Sequence, residues 1–116
     1  SNAAAVVEVH KQLGWKTLSN EHSIIEKDGE HIAILGVENT SYKSRFPSFG
    51  KLDQAHAGAK DVPFKILMSH DPSHWNGEVT KKFSDIDLTL SGHTHGMQFG
   101  VELPGFRWSP VKYVYK

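Results

Sequence analysis

Eight histidines in 116 residues ask for a chemical explanation, the more so because the chain has no cysteine. Without thiols, disulfide frameworks, thiolate metal sites and cysteine nucleophiles drop out, and imidazole nitrogen is left as the donor to consider. Three of the histidines stand in two short blocks. Ser69-His70-Asp71-Pro72 follows the apolar run Pro63 to Met68, and Gly92-His93-Thr94-His95-Gly96 follows Ile86 to Leu90. If the backbone stays extended past Leu90, His93 and His95 point to the same side, since side chains alternate along a strand. The flanking glycines permit a tight turn and a close approach of ligand to backbone. Two imidazoles on one side of a strand end form a natural pair of metal ligands, and His70 joins them if the two strands are neighbours. A bare His-x-His reads equally well as two surface-loop histidines. The glycine frame, the preceding strand and the matching Ser69-His70 context favour the metal.

These blocks need elements to position them. Ala4 to Leu13 reads as a short helix with Val6, Val9, His10 and Leu13 on one face and Gly14 just past its end. Trp15 to Leu18 reads as a short strand. Ser23 to Glu26 and His31 to Val37 flank Lys27-Asp28-Gly29-Glu30, a hairpin signal, and the second run is apolar enough for a central strand. Glu38 to Gly50 reads as a loop and Lys51 to Lys60 as a weak helix. Pro63 to Met68 reads as a buried strand. Asp71 or Ser73 is placed to cap a helix over Trp75 to Phe83 that Gly77 weakens. Ile86 to Leu90 is a further short strand, and the tail ends in a strand-like Val111 to Tyr115. Two strand–helix–strand stretches predict an α/β fold, in which ligands gather beyond the carboxyl ends of strands. Both histidine blocks sit there.

Composition bounds the rest. Residues 1–3, Ser1-Asn2-Ala3, resemble the remnant of affinity-tag cleavage and are set apart, leaving 4–116 as one unit. Thirteen basic and thirteen acidic residues cancel, so no basic surplus indicates nucleic acid. No apolar run approaches the roughly 18 residues a transmembrane helix needs.

The quoted blocks carry a resemblance. Ile66 to Pro72, followed by Asp85 to Gln98 with Leu90-Ser91-Gly92-His93-Thr94-His95-Gly96 at its centre, resembles the last two motifs of the calcineurin-like metallophosphoesterases, in the form found in the bacterial YkuE- and YaeI-like branch. The hairpin, with Asn20-Glu21 before it and Gly36-Val37 at its end, also fits that branch, and the likeness runs from Gly14 onward. It implies a partial phosphoesterase sandwich, one β-sheet with flanking helices and a β-hairpin. It implies a binuclear site of divalent ions (Mn, Fe, Zn or Co) in which His70 and His93 ligate one ion and His95 the other, and a metal-activated water that attacks a phosphomono- or phosphodiester. It places some relatives near membranes.

The departures from the family pattern are equally definite. The sequence contains no Asp-x-His, no Gly-Asp and no Gly-Asn-His, the blocks that supply the bridging carboxylate, further ligands and phosphate contacts. The expectation is therefore the C-terminal portion of a phosphohydrolase, with the catalytic residues in a missing N-terminal half and the closing strands also absent. Such a piece is expected to be inactive alone, to hold at most one weakly bound ion, and to self-associate through exposed core or strand edges. Two other readings fit the histidines: a self-contained mononuclear zinc hydrolase using His70, His93, His95 and water, and a metal-binding module that turns nothing over. His74 reads as a surface residue at a helix start, with the metal pocket as its alternative, and His10, His22, His31 and His56 read as helix or hairpin surface. Asn20, Glu21, Glu38 and Asn39 end strands as turn, cap or pocket-lining residues. Trp15, Trp75 and Trp108 read as core or interface.

Overall fold

The computed structural model describes residues 2–40, 48–93 and 101–108. Four strands, β1 (Glu21–Lys27), β2 (Glu30–Gly36), β3 (Phe64–Met68) and β4 (Leu88–Leu90), form one sheet in the order β1-β2-β3-β4. The first pair is antiparallel, and β2-β3 and β3-β4 are parallel. The fold is α/β, with a mixed sheet and flanking helices.

The hairpin forms as the sequence predicts. Asp28 (φ 52°) and Gly29 (φ 79°) both lie in the left-handed region, which is what a two-residue turn matching the strand twist requires. Parallel pairing of β2, β3 and β4 demands crossovers. The first carries α2 (Leu52–Ala57), and the second a wide π-helical turn, Trp75–Val79, followed by α3 (Thr80–Lys82). Both crossovers step across the sheet in the same direction, so a right-handed path places them on one face. The core agrees: Ala33, Leu35 and Leu67 from the sheet meet Leu52, Ala55 and Ala59 around α2, with Val62, Val79 and Ile86. Each fully buried leucine stabilises the fold by roughly 1.5–3 kcal/mol relative to exposure.

The other face of the sheet is apolar and open. Alternation puts Ile25, Ile32, Phe64, Met68, Leu88 and Leu90 there, and each is at least 38% exposed. Trp15 and Trp75 are exposed as well and so are not core residues, whereas the side chain of Trp108 lies outside the described set.

Several expectations need correction. Trp15 to Leu18 is not a strand; it crosses the end of β2, where a Cβ on Gly36 would stand 2.7 Å from the Leu18 carbonyl oxygen. Only glycine lets the two backbones pass so close. The first helix begins one residue earlier than expected: α1 spans Ala3–Gln12, and the Asn2 side chain accepts from the Ala5 N–H at 3.3 Å. The predicted strand over Ile86 to Leu90 contracts to β4, because Ile86 turns into the core. A second sheet was not foreseen: β5 (Val101–Leu103) and β6 (Phe106–Trp108) pair antiparallel about Pro104-Gly105, with Gly105 at φ 80°. Proline followed by a positive-φ glycine is a sufficient turn signal for it. Val111 to Tyr115 and residues 41–47 of the predicted loop lie outside the described residues.

Candidate metal centre

The ladder between β3 and β4 continues past both strands. The Ser69 N–H donates to the Leu90 carbonyl at 3.0 Å and the Gly92 N–H to the His70 carbonyl at 3.1 Å. This backbone zip carries His70 and His93, 23 residues apart in sequence, to one spot: His93 Nδ1 lies 3.0 Å from His70 Nε2, with the ring centroids 4.8 Å apart and nearly edge-on. His70 is exposed and His93 half-buried, so the pair is open to solvent at the carboxyl end of the sheet.

The expected extended backbone does not hold at His93. Its φ of 67° is left-handed, a conformation in which histidine is enriched over most non-glycine residues. The chain turns there, so strand alternation no longer argues that His93 and His95 share a side. His95 itself lies outside the described residues.

The pair fits a metal ion by its spacing. Two imidazole nitrogens bound to one ion at about 2.0–2.1 Å stand about 2.8–3.0 Å apart at right angles and about 3.3–3.4 Å apart tetrahedrally. The observed 3.0 Å matches the right-angle spacing. Without a cation the same distance is a hydrogen bond in which one ring donates and the other accepts. Among the described residues no group of three or more His, Cys, Asp or Glu side chains gathers around a common point, and no carboxylate joins the two rings.

Other histidines are placed differently from expectation. His74 is not on the surface but completely buried, its Nδ1 2.8 Å from Ser69 Oγ and its Nε2 3.0 Å from Glu78 Oε2. His56 is also buried, with Nε2 2.7 Å from Asp85 Oδ2. That carboxylate also meets Lys65 Nζ at 3.2 Å, and Lys65 donates to the Val62 carbonyl at 2.7 Å. Burial raises the Asp85 carboxyl, but hydrogen bonds from His56 and Lys65 and their charges outweigh it and hold it below its ordinary value. His31 stays on the surface, 3.3 Å from Glu26, and His10 meets Trp15 with the rings tilted by 43° and their centroids 5.4 Å apart.

Asn20 proves structural. At φ 59° it is buried, and its amide donates to Glu38 Oε2 (2.8 Å) and the Phe49 carbonyl (3.2 Å). Its carbonyl accepts from the N–H groups of Glu38 (3.2 Å) and Lys51 (2.7 Å). All four bonding positions of the amide are filled, so it ties the loop after β2 to the start of α2. Sequence reasoning missed Ser69 and Glu78 as partners of His74; the available signal was the His74–Glu78 spacing of four.

No family model matches the chain. It is 28% identical over 109 residues to "Transmembrane protein with metallophosphoesterase domain" of Danio rerio, a match covering 89% of this chain and 25% of the relative. It is 31% identical over 113 residues to "NAD 5'-nucleotidase" of Haemophilus influenzae, covering 87% of this chain and 18% of that relative. The chain thus spans a quarter or less of the length of these curated relatives. No solved structure matches it. Both names point to phosphoesterases, which supports the metallophosphoesterase superfamily without selecting a branch. Among the described residues no helix is long and apolar enough to cross a membrane.

Proposed function

We propose that this chain is the metal-binding, C-terminal part of a metal-dependent phosphohydrolase. The carrying observation is the convergence of His70 and His93 at 3.0 Å on adjoining strand ends. In this reading His70 and His93 hold one divalent ion and His95 serves a second, which supplies a Lewis acid and an activated water when bound. His70 and His93 contribute neutral nitrogen lone pairs, orient them through the backbone ladder, and leave the open side to a phosphate ester. Imidazole donors suit Mn, Fe, Zn or Co. The nucleotidase relative makes nucleotide phosphoesters a substrate class worth testing, and the zebrafish relative's name makes a membrane-attached parent part of the same reading.

The open apolar face of the sheet is, in this proposal, the surface on which a second sheet packs to complete a sandwich. The chain by itself lacks the carboxylate blocks of a binuclear centre and is expected to be inactive and to self-associate through that face. Sedimentation that shows one monomeric species across a wide concentration range counts against the association.

The test of function is metal binding measured beside turnover. The chain is equilibrated with Mn²⁺, bound metal is measured, and a generic phosphodiester is offered, with His93→Ala as control. Bound metal that disappears in the variant, without hydrolysis, is the expected result. No metal uptake at all sinks the reading. Hydrolysis by this chain alone, abolished by His93→Ala, transfers support to the mononuclear zinc hydrolase.

A further inference from the structure

Behind the exposed pair lies a second, buried line of groups. Ser69 is 3% exposed and His74 wholly enclosed. A carboxylate only accepts, so His74 Nε2 carries a proton and donates to Glu78 Oε2 at 3.0 Å. In the neutral ring Nδ1 then accepts from the Ser69 hydroxyl at 2.8 Å. Hydroxyl, imidazole and carboxylate stand in the order of a nucleophile, its base and the group that orients the base. Nucleophilic chemistry does not fit, because Ser69 faces the helix-covered side of β3, where no substrate reaches its oxygen. Ser69 and His70 are consecutive on one hydrogen-bonded backbone, so a line that fixes Ser69 also restrains the backbone that carries His70.

Three further observations make this line more than packing. The backbone N–H of Ser69 holds the Leu90 carbonyl (3.0 Å), and the His70 carbonyl holds the Gly92 N–H (3.1 Å), so Ser69 and His70 together carry the ladder that delivers His93. The turn between Ser69 and His74 is closed by Asp71, whose Oδ1 accepts from the Ser73 N–H at 2.8 Å and whose carbonyl accepts from the His74 N–H at 3.1 Å. Finally, Glu78 comes from the π-helical turn Trp75–Val79. Such widened turns are rare and concentrate at functional sites.

We propose that Glu78, His74 and Ser69 are positioning residues, a buried relay that sets the distance between His70 and His93. The proposal rests on the reading of that pair as metal ligands, but its test does not depend on metal alone. In the metal-free chain, the nuclear Overhauser effect between the His70 and His93 rings reports their contact directly. A Co²⁺ titration of the same samples reports affinity. Glu78→Ala is the main variant, since its side chain is 18% exposed and its loss is tolerated better than a change at His74. Ser69→Ala is the second. Both are expected to cut the inter-ring effect by about half or more and to weaken Co²⁺ binding about tenfold, the lower end of what outer ligand support contributes. Glu78→Gln, which keeps an acceptor oxygen for His74, is expected to restore both. If Glu78→Ala and Ser69→Ala retain the ring contact and the affinity, the relay is overturned. If the parent chain takes up no Co²⁺ while Glu78→Ala still breaks the ring contact, the relay stands and the metal reading falls.

Discussion

The two ends of the four-stranded sheet use histidine in opposite ways. At the carboxyl ends of β3 and β4, His70 and His93 face each other in the open, nitrogen to nitrogen at 3.0 Å. At the amino ends, His56 is buried against Asp85 at 2.7 Å, and the same carboxylate anchors Lys65. Asp87 secures that end further by accepting the Lys65 N–H at 2.8 Å. A histidine facing a carboxylate already has its charge partner and needs nothing from solution. Two imidazoles facing each other offer lone pairs that only a proton or a cation brings together. Histidine count alone therefore says little; the neighbour of each ring separates a fastening from a binding site.

The strongest way to break this comparison is to remove one member of the open pair. His93→Ala is expected to lower Co²⁺ or Mn²⁺ affinity about a hundredfold or more, beyond the 10–100-fold effect of outer-shell changes. Stability should move by only about 0.5 kcal/mol or less, as for most surface substitutions. Isothermal titration and urea unfolding on the same samples measure both. A large loss of stability with unchanged affinity would make the pair a fastening like the other end.

The reverse substitution belongs at the amino end. Asp85→Ala leaves Lys65, whose side chain is 5% exposed, without its counter-charge. Breaking a buried pair costs about 3–5 kcal/mol. The Asp85 side chain is 46% exposed and partly screened, so we expect about 2 kcal/mol. Urea midpoints read this loss, and metal affinity should not change.

How much of this contrast was legible in the sequence follows from the range of the interactions. The hairpin at Asp28-Gly29, the apolar strand β3 and the placement of His70 and His93 beyond strand ends are written in local pattern, and all three appear in the fold. The partners of His56 and His74 were not readable in the same way. Asp85 lies 29 residues from His56, and only the packing of α2 against the sheet brings them together. His74 shows the other limit. Its helix was expected, but which side faced the core depended on the π-helical turn, a departure from the 3.6-residue period on which face assignments rest. The turn at His93 likewise depends on local backbone geometry that a Gly-His-Thr-His-Gly string does not determine.

Acid sharpens the comparison with a smaller effect. The Asp85 carboxyl is held below its unfolded value of 3.8. A lowered folded-state pKa contributes stability that is fully present above the unfolded value and disappears as pH falls through the folded one. The stability difference between the parent chain and Asp85→Asn should therefore shrink as pH falls below about 4. Denaturant titrations at stepped pH follow it. A difference that stays constant down to pH 2 would remove the ion pair from the account.

The smallest expected effect belongs to His31, and it isolates the variable that matters. His31 faces a carboxylate as His56 does, Glu26 at 3.3 Å, but the two side chains are 44% and 65% exposed. If a carboxylate partner alone made a histidine into a fastening, His31→Ala would destabilise the hairpin visibly. Exposed ion pairs are usually worth about 0.2–1 kcal/mol, because water screens the charges and both side chains give up rotamer freedom to meet. We expect His31→Ala to cost less than about 0.5 kcal/mol and to leave metal affinity alone. Thermal unfolding of His31→Ala beside Asp85→Ala reads the two pairs on one scale. Equal losses would mean that pairing rather than burial anchors the amino end of the sheet; a clear gap assigns the anchoring to the buried Lys65 and His56.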